Sequence, residues 1–380
     1  MTSHRTNPSR RLDHRLLPLL ILLLVSSKAS CAESVLELRP LGRAATGIEA
    51  TAIRWIEPNM RSHGTERQVL ESWRRGVGSP LIIAAPEGIQ GAKALDSFAI
   101  LSWNTHVGGG DLDRFIDDLR DGKLTDGEAV HDFVLLLQEV FRQGPTVPHP
   151  MPSDALAGSY VGCCLPSGKR TDIWETARRR GLALYYVPSM RNGGPNETDT
   201  PEDRGNAILS TMAMSSFTAI ELPSERQRRL AIGASICGEN SGGVPWKIQI
   251  ISVHLENRAR WFRWFESFGS VRVRQVTALV NAYAGSSPTV LGGDFNTWFR
   301  QWKEPAIKEV QRFFDRPILL SRRGTVRLGR LLPERMVDYL FFRLPEDWTA
   351  NYQRVDKRYG SDHYPLLGRV QIGDCRDLSR

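Results

Sequence analysis

A chain of 380 residues with 41% hydrophobic and 24% charged residues has ample material for a packed core. That balance excludes a disordered polyelectrolyte and a membrane-embedded bundle. The formal charge of +8 is compatible with a phosphate-bearing partner without demanding one. Half of the excess sits in residues 1–32, where Arg5, Arg10, Arg11, Arg15 and Lys28 face only Asp13, so the remainder is mildly basic.

The first segment reads as an export signal. Arg10, Arg11 and Arg15 precede the apolar run "LLPLLILLLV" (16–25), and small residues follow, with cleavage expected after Ala32. The run is shorter than the about 20 apolar residues a permanent span needs. An uncleaved membrane anchor is the alternative. Lipidation of Cys31 is disfavoured by Lys28, which stands where an apolar residue is expected. The protein is therefore expected in the periplasm or outside the cell. Residues 33–96 read as an extension packed on a main domain at 97–372, with a tail at 373–380. Within the extension, 65–76 fits a short helix and 79–86 a strand or buried turn.

Regular alternation begins at Ser97. "SFAILSW" (97–103) is a strand, and Leu112, Phe115, Ile116 and Leu119 fall at helical spacing within 111–122. The continuous apolar run of "DFVLLL" (132–137) marks a strand covered on both faces. "GGG" (108–110), following His106, lacks a G-x-x-x-x-G-K pattern and reads as a flexible turn, not a phosphate cradle. A Pro- and Gly-rich loop spans 144–170. A helix follows over 171–181, capped by Thr171 and stopped by Gly181. Strands are predicted at 182–187, 206–210, 228–236, 247–253, 289–295 and 336–342, with a helix at 270–285. The polar stretch 191–205 reads as an exposed, mobile loop. Without Cys31, four cysteines remain. Cys163 and Cys164 are too close as neighbours to suit each other and are expected to pair with Cys237 or Cys375.

The chemistry-bearing residues stand where apolar strands end. They are Asn104 in "SWN", Glu139 in "LQE", Asn206 in "GNAILS", His254 in "SVHL", Asp294 and Asn296 in "GDFN", Asp338 in "VDYLFF", and Asp362 and His363 in "GSDH". A lone Asp or Asn at a strand end usually caps a turn. Glu139 carries more information, because an acid directly after "FVLLLQ" sits at the edge of a buried strand and needs a partner. Asp294 and Asn296, two apart, share one side of an extended strand.

In this order the segments resemble the endonuclease/exonuclease/phosphatase superfamily, over about residues 97–370. The resemblance implies an α/β fold, a four-layered α/β/β/α sandwich of two packed mixed β-sheets flanked by helices. It implies hydrolysis of a phosphate ester by in-line attack of an activated water, assisted by Mg²⁺ or Mn²⁺. Glu139 would be the principal metal ligand, with Asn104 beside it and Asp362 at the same or a neighbouring position. Carboxylates suit such hard ions. Asp294 would orient and deprotonate the water, and Asn296 would hydrogen-bond the phosphate. Asp338 would hold His363, which faces the scissile phosphate. His254 would contact the phosphate or leaving oxygen, and Asn206 would support the pocket.

A histidine at position 254 resembles the pancreatic-type deoxyribonuclease, sphingomyelinase and phosphoinositide phosphatase branches more than the apurinic endonucleases. Arginines and aromatics alternate in 257–274, beginning with Arg258, and such a mixture suits a phosphate backbone with stacked bases or a membrane interface. The arginine-rich stretch 322–335 leads into the Asp338 strand. Nucleic acid is therefore the favoured substrate, cut by a monomeric endonuclease, with Arg258 among the substrate-binding residues. A sphingomyelinase or phospholipase C-like activity with peripheral membrane contact, or a sugar or inositol phosphatase, is the alternative. A non-catalytic binding module fits less well, because every expected acid, amide and imidazole is present.

Overall fold

The computed structural model describes residues 53–57, 64–85, 94–148, 160–161, 166, 168–192, 201–224, 227–257, 270–283, 285, 287–297, 304–314, 323–327 and 333–373. The predicted export signal, Cys163, Cys164, Cys375, Arg258 and most of the arginine–aromatic segment lie outside them. Among the described residues no helix is long and apolar enough to cross a membrane.

Two mixed sheets face each other. The first holds β1 (Arg54–Ile56), β8 (Met214–Leu222), β9 (Arg229–Glu239), β10 (Pro245–His254), β11 (Thr289–Asp294) and β12 (Asp338–Arg343) in that order. The second runs β13 (Thr349–Arg354), β14 (Leu366–Gln371), β3 (Ser97–Asn104), β4 (Phe133–Gln143), β7 (Glu202–Ser210), β6 (Ala183–Asn192) and β2 (Leu81–Ile83), with β5 (Tyr160–Val161) paired to β6. Helices α2 (Leu112–Arg120) and α3 (Ile173–Arg180) cover the outer face of the second sheet through Phe115, Ile116 and Ala177. Helices α4 (Ser270–Ala282) and α5 (Pro305–Phe313) cover the first through Val276, Leu279 and Ile307. This is the α/β/β/α sandwich that the sequence leads one to expect.

Strand alternation sends every second residue into the layer between the sheets. Phe98 and Ile100, Val134 and Leu136, Ile248 and Ile250, Val290, Leu340 and Phe342 fill it. A Cβ on Gly292 would lie 2.8 Å from both Leu136 and Leu340, so glycine lets the sheets approach closely there. Described parts of the extension supply edges. β1 pairs with β8, β2 pairs with β6, and helix α1 (Gly64–Arg75) contacts β6.

Local departures from the sequence reading have simple causes. Asp172, not Thr171, caps α3, accepting from the main-chain nitrogens of Trp174 and Glu175, because a carboxylate reaches two orphan donors at once. Residues 191–192 and 202–205 are buried strand and not exposed loop, with Asp203 neutralising Arg142 in the interior. The "GGG" turn is packed, not flexible. A Cβ on Gly108 would sit 2.3 Å from the Phe141 ring, and one on Gly110 2.5 Å from Trp103. Cys237 is exposed with a free thiol, while the cysteines expected to take part in bridges with it, Cys163 and Cys164, lie outside the described residues.

The Arg142–Asp203 pair is fully enclosed. Arg142 reaches Asp203 at 2.5 and 3.2 Å and donates to Ser79 O, while Tyr186 and the Gly78 N–H also donate to Asp203. It ties β4, β6 and β7 to the segment after α1. Removing one member strands a buried charge. Arg142→Ala is expected to lower unfolding free energy in urea by about 3–5 kcal/mol. A loss under about 1 kcal/mol would show that the pair is solvated.

Candidate active site

The inward-facing row of each strand turns polar at one end of the sandwich. Apolar residues give way to Ser102, Gln138, Ser252 and Gly292, and then to Asn104, Asn206, His254, Asp294 and Asp338. Pairing register fixes three of these in a line. His254 lies opposite Asp294 across the parallel β10–β11 pair, and Asp294 lies opposite Asp338 across the antiparallel β11–β12 pair. Paired residues share a face, so all three side chains enter the same crevice.

Asp294 is the hub. It accepts from Asn104 Nδ2 of the opposite sheet at 3.0 Å and from the Asn296 N–H at 2.8 Å. His254 Nε2 is 3.5 Å from its Oδ2, and His363 Nε2 is 3.9 Å away. Burial, reinforced by the charge of Asp338, pushes the Asp294 carboxyl up to about 7, against the opposing pull of His363 and the two N–H donors.

His363 stands on the loop before β14. Its Nδ1 is 2.9 Å from Asp338 Oδ2. Burial works against its charge, yet the adjoining Asp338 carboxylate, with Asp294 and Asp362, raises it to about 10. It is an imidazolium at neutral pH. The loop is pinned to β3, with Ser361 Oγ donating to Asn104 O and Trp103 Nε1 to His363 O. Thr325 Oγ1 accepts from the N–H groups of Val337 and Asp338, setting the start of β12.

His254 is the opposite case. Burial, then Arg229, Arg204 and His363, hold it well below the usual histidine range, so it is neutral. Arg229 Nη1 lies 2.9 Å from its Nδ1 and 3.1 Å from its Nε2. Arg229 is itself 2% exposed, and burial lowers its own affinity for the proton. Its carboxylate neighbours act only at longer range, so it presents a positive charge to the crevice floor. Arg204, on the same face of β7 as Asn206, reaches Glu139 Oε2 at 3.9 Å. Neither arginine stands out in the sequence, where arginine ordinarily marks solvent. Only their burial beside the strand-end acids reveals them.

Glu139 departs from the expectation of a strand end. β4 runs on to Gln143, and Glu139 sits on a bulge where its register with β7 shifts between Leu137 and Val140. Regular alternation would place it outward with Leu135 and Leu137; with a left-handed φ of 51° it turns toward Arg204 instead. Asn206 donates to the main-chain oxygens of Leu230 and Ser252, tying the sheets beneath the crevice. Asn296 donates one amide hydrogen to Leu255 O and keeps a second.

Two groups offer ligand atoms. Asp294, Asp338 and His363 lie within 4.8 Å of one another, but Asp338 Oδ2 is committed to His363 Nδ1, which suits proton handling. Asn104, Glu139 and Asp362 stand on adjoining backbone, Asn104 paired with Gln138 and its carbonyl accepting from Ser361 Oγ, and their oxygens suit a hard divalent ion better. Asp362 Oδ1 is buried without a hydrogen-bond donor among the described residues, with His106 Nδ1 at 3.6 Å and His363 Nε2 at 3.9 Å. Such an orphaned carboxylate oxygen is what a cation would satisfy.

Residues 101–363 match the model of the Endonuclease/Exonuclease/phosphatase family. The chain belongs to that family. Its members are hydrolases of phosphoester bonds, and the ring of acids, imidazoles and amides described above falls within the matched span. Solved structures similar to the chain include an endonuclease/exonuclease/phosphatase from Beutenbergia cavernae, 16% identical with a TM-score of 0.48, covering 73% of this chain and 72% of that one. The catalytic domain of human Nocturnin with a bound sulfate anion is 16% identical, TM-score 0.43, covering 74% and 96%. Sphingomyelinase C from Streptomyces griseocarneus is 16% identical, TM-score 0.38, covering 72% and 99%. No curated protein matches the chain in sequence.

The raised Asp294 carboxyl has a measurable consequence. Its folded value near 7 exceeds the ordinary 3.8, so the native state binds more protons between those values and loses stability as pH rises through them. His363 works in a separate window, stabilising fully below 6.5 and losing that contribution as pH rises through about 10. In chelator, Asp294→Asn is expected to gain stability relative to wild type between pH 4 and 7, on the order of 2–4 kcal/mol by urea denaturation. Parallel pH curves for the two proteins would refute the raised value.

Proposed function

We propose that the protein is a divalent-metal-dependent phosphodiesterase that hydrolyses nucleic acid by in-line attack of water. The observation that carries this reading is the geometry at Asp294, a buried carboxylate held by Asn104 and the Asn296 N–H, with His254 at 3.5 Å on one side and the Asp338-bound His363 at 3.9 Å on the other. A base is most effective when its pKa lies near the working pH.

Asp294, oriented by Asn104 and the Asn296 N–H, takes the proton of the attacking water. His363, kept charged by Asp338, places positive charge beside the phosphoryl oxygens as negative charge gathers there. Neutral His254, backed by Arg229, offers a ring N–H to the phosphate, and Asn296 offers its second amide hydrogen. Arg204 and Arg229 make the floor attractive to an anion. Glu139, Asn104 and Asp362 would hold Mg²⁺ or Mn²⁺, which supplies charge neutralisation at the phosphate and leaving oxygens.

Support for nucleic acid comes from the buried cations and the arginine–aromatic composition after Asn257. Not every arginine before Asp338 serves it, since Arg323 is paired with Asp356. We also propose that the protein acts outside the cytoplasm, on the strength of the leader at 1–32.

The test incubates the purified protein with Mg²⁺ and plasmid DNA, RNA, sphingomyelin vesicles or bis-p-nitrophenyl phosphate. Cleavage of DNA or RNA is expected, abolished by chelator and reduced about 10²–10⁴-fold in Asp294→Asn and His363→Ala. Cleavage of vesicles alone would replace nucleic acid with a phospholipid headgroup. Turnover of none of the four, or equal rates in wild type and Asp294→Asn, would overturn the mechanism.

A further inference from the structure

We propose that Thr105 is a positioning residue for the ion site: its hydroxyl, within a hook formed by residues 105–108, holds the Glu139 bulge that turns this carboxylate into the crevice. The inference rests on the reading of Glu139 and Asn104 as divalent-ion ligands.

The bulge needs holding. The left-handed region is disfavoured for any residue but glycine, and Glu139 occupies it at φ 51° inside a strand. Relaxing to regular alternation would carry its side chain to the outer face, among Leu135, Leu137 and the helices. Four interactions from the hook oppose this. The Thr105 N–H donates to Gln138 O at 2.9 Å, and the Gly108 N–H to Glu139 O at 3.0 Å. Thr105 Oγ1 lies 3.1 Å from both Gln138 O and Glu139 O, so its one proton is shared between the carbonyls on either side of the Glu139 Cα.

The hook is itself over-determined. His106, Val107 and Gly108 are consecutive left-handed residues, at φ 51°, 53° and 73°, although Val107 is β-branched and buried. What fixes them is packing. Gly108 lies against the Phe141 ring, just past the bulge, and its carbonyl accepts from Thr171 N. The Gly110 N–H closes the turn on Thr105 O. The same hook orients the second ligand, because the His106 N–H donates to Asn104 Oδ1 at 3.0 Å while Asn104 Nδ2 is spent on Asp294. One backbone feature thus presets an amide from β3 and a carboxylate from β4.

The hydroxyl can be removed alone. Thr105→Val keeps shape and burial, and both carbonyls retain their main-chain donors, so the fold loses little. The experiment titrates Mn²⁺ into wild type, Glu139→Gln, Thr105→Val and Thr105→Ser by isothermal calorimetry, with urea denaturation of each in parallel. Wild type is expected to bind, Glu139→Gln to bind at least tenfold more weakly, and Thr105→Val to weaken five- to tenfold. Thr105→Ser, which keeps the hydroxyl, is expected within twofold of wild type. Thr105→Val binding Mn²⁺ as wild type does, while Glu139→Gln does not, overturns the positioning role and leaves the ion site standing. Wild type binding no Mn²⁺ removes the ion site and the positioning role together. Weakening by Thr105→Val that Thr105→Ser shares equally also overturns it, since the hydroxyl would then not be the cause.

Discussion

Main-chain pairing among β10, β11 and β12 is the constraint on which the chemistry depends. It sets His254, Asp294 and Asp338 in one line across three strands. A slip of a single residue in β11 would send Asp294 to the helix-covered face and Phe295 to the crevice. The inter-sheet apolar row resists that slip, because Val290 and Gly292 would leave the layer in the same step. The hydrophobic interlayer therefore does more than stabilise: it indexes the polar residues of the crevice.

Electrostatics at the crevice end run against stability. Arg229, His254, Asp294, Asp338 and His363 are all buried, and burying charge is costly unless partners offset it. The offsets are incomplete. Among the described residues, Asp338 Oδ1, Asp362 Oδ1 and the Nε atoms of Arg204 and Arg229 have no hydrogen-bond partner. Burial and the neighbouring charges, Arg229 and Arg204 on one side and Asp338 on the other, keep one histidine neutral, the other charged, and one carboxyl near neutrality. A better-satisfied crevice would be more stable and would lose that division of labour.

Much of the architecture was legible because the inner strands carry unbroken or alternating apolar runs, as in "FVLLL" and "IQIISV". The edges were not. β13, "TANYQR", has one buried residue, and β8 begins "MSSF", so neither carries a periodic signal. α5 was missed behind its Pro305, which opens the helix at a position where the missing N–H costs nothing. Of the site, the acids, amides and imidazoles were visible as polar interruptions of strands. Arg204 and Arg229 were not, because a basic residue in a sequence looks solvated until the fold buries it. The bulge at Glu139 was invisible for another reason: nothing in "LLLQEVF" says where alternation will slip, and the residues that impose the slip lie over thirty positions earlier.

The placement of β14 has a consequence for how the molecule comes to exist. Last in the chain, it lies between β13 and β3, and the loop before it delivers His363 to Asp338 and Ser361 to Asn104. Until that strand has docked, β13 has no neighbour in the second sheet, β3 is an open edge and the imidazolium is missing. Long-range pairing of this sort is late in folding. A chain in which β14 has not docked thus lacks the His363–Asp338 contact, and the crevice gains its positive charge only when this strand joins the sheet.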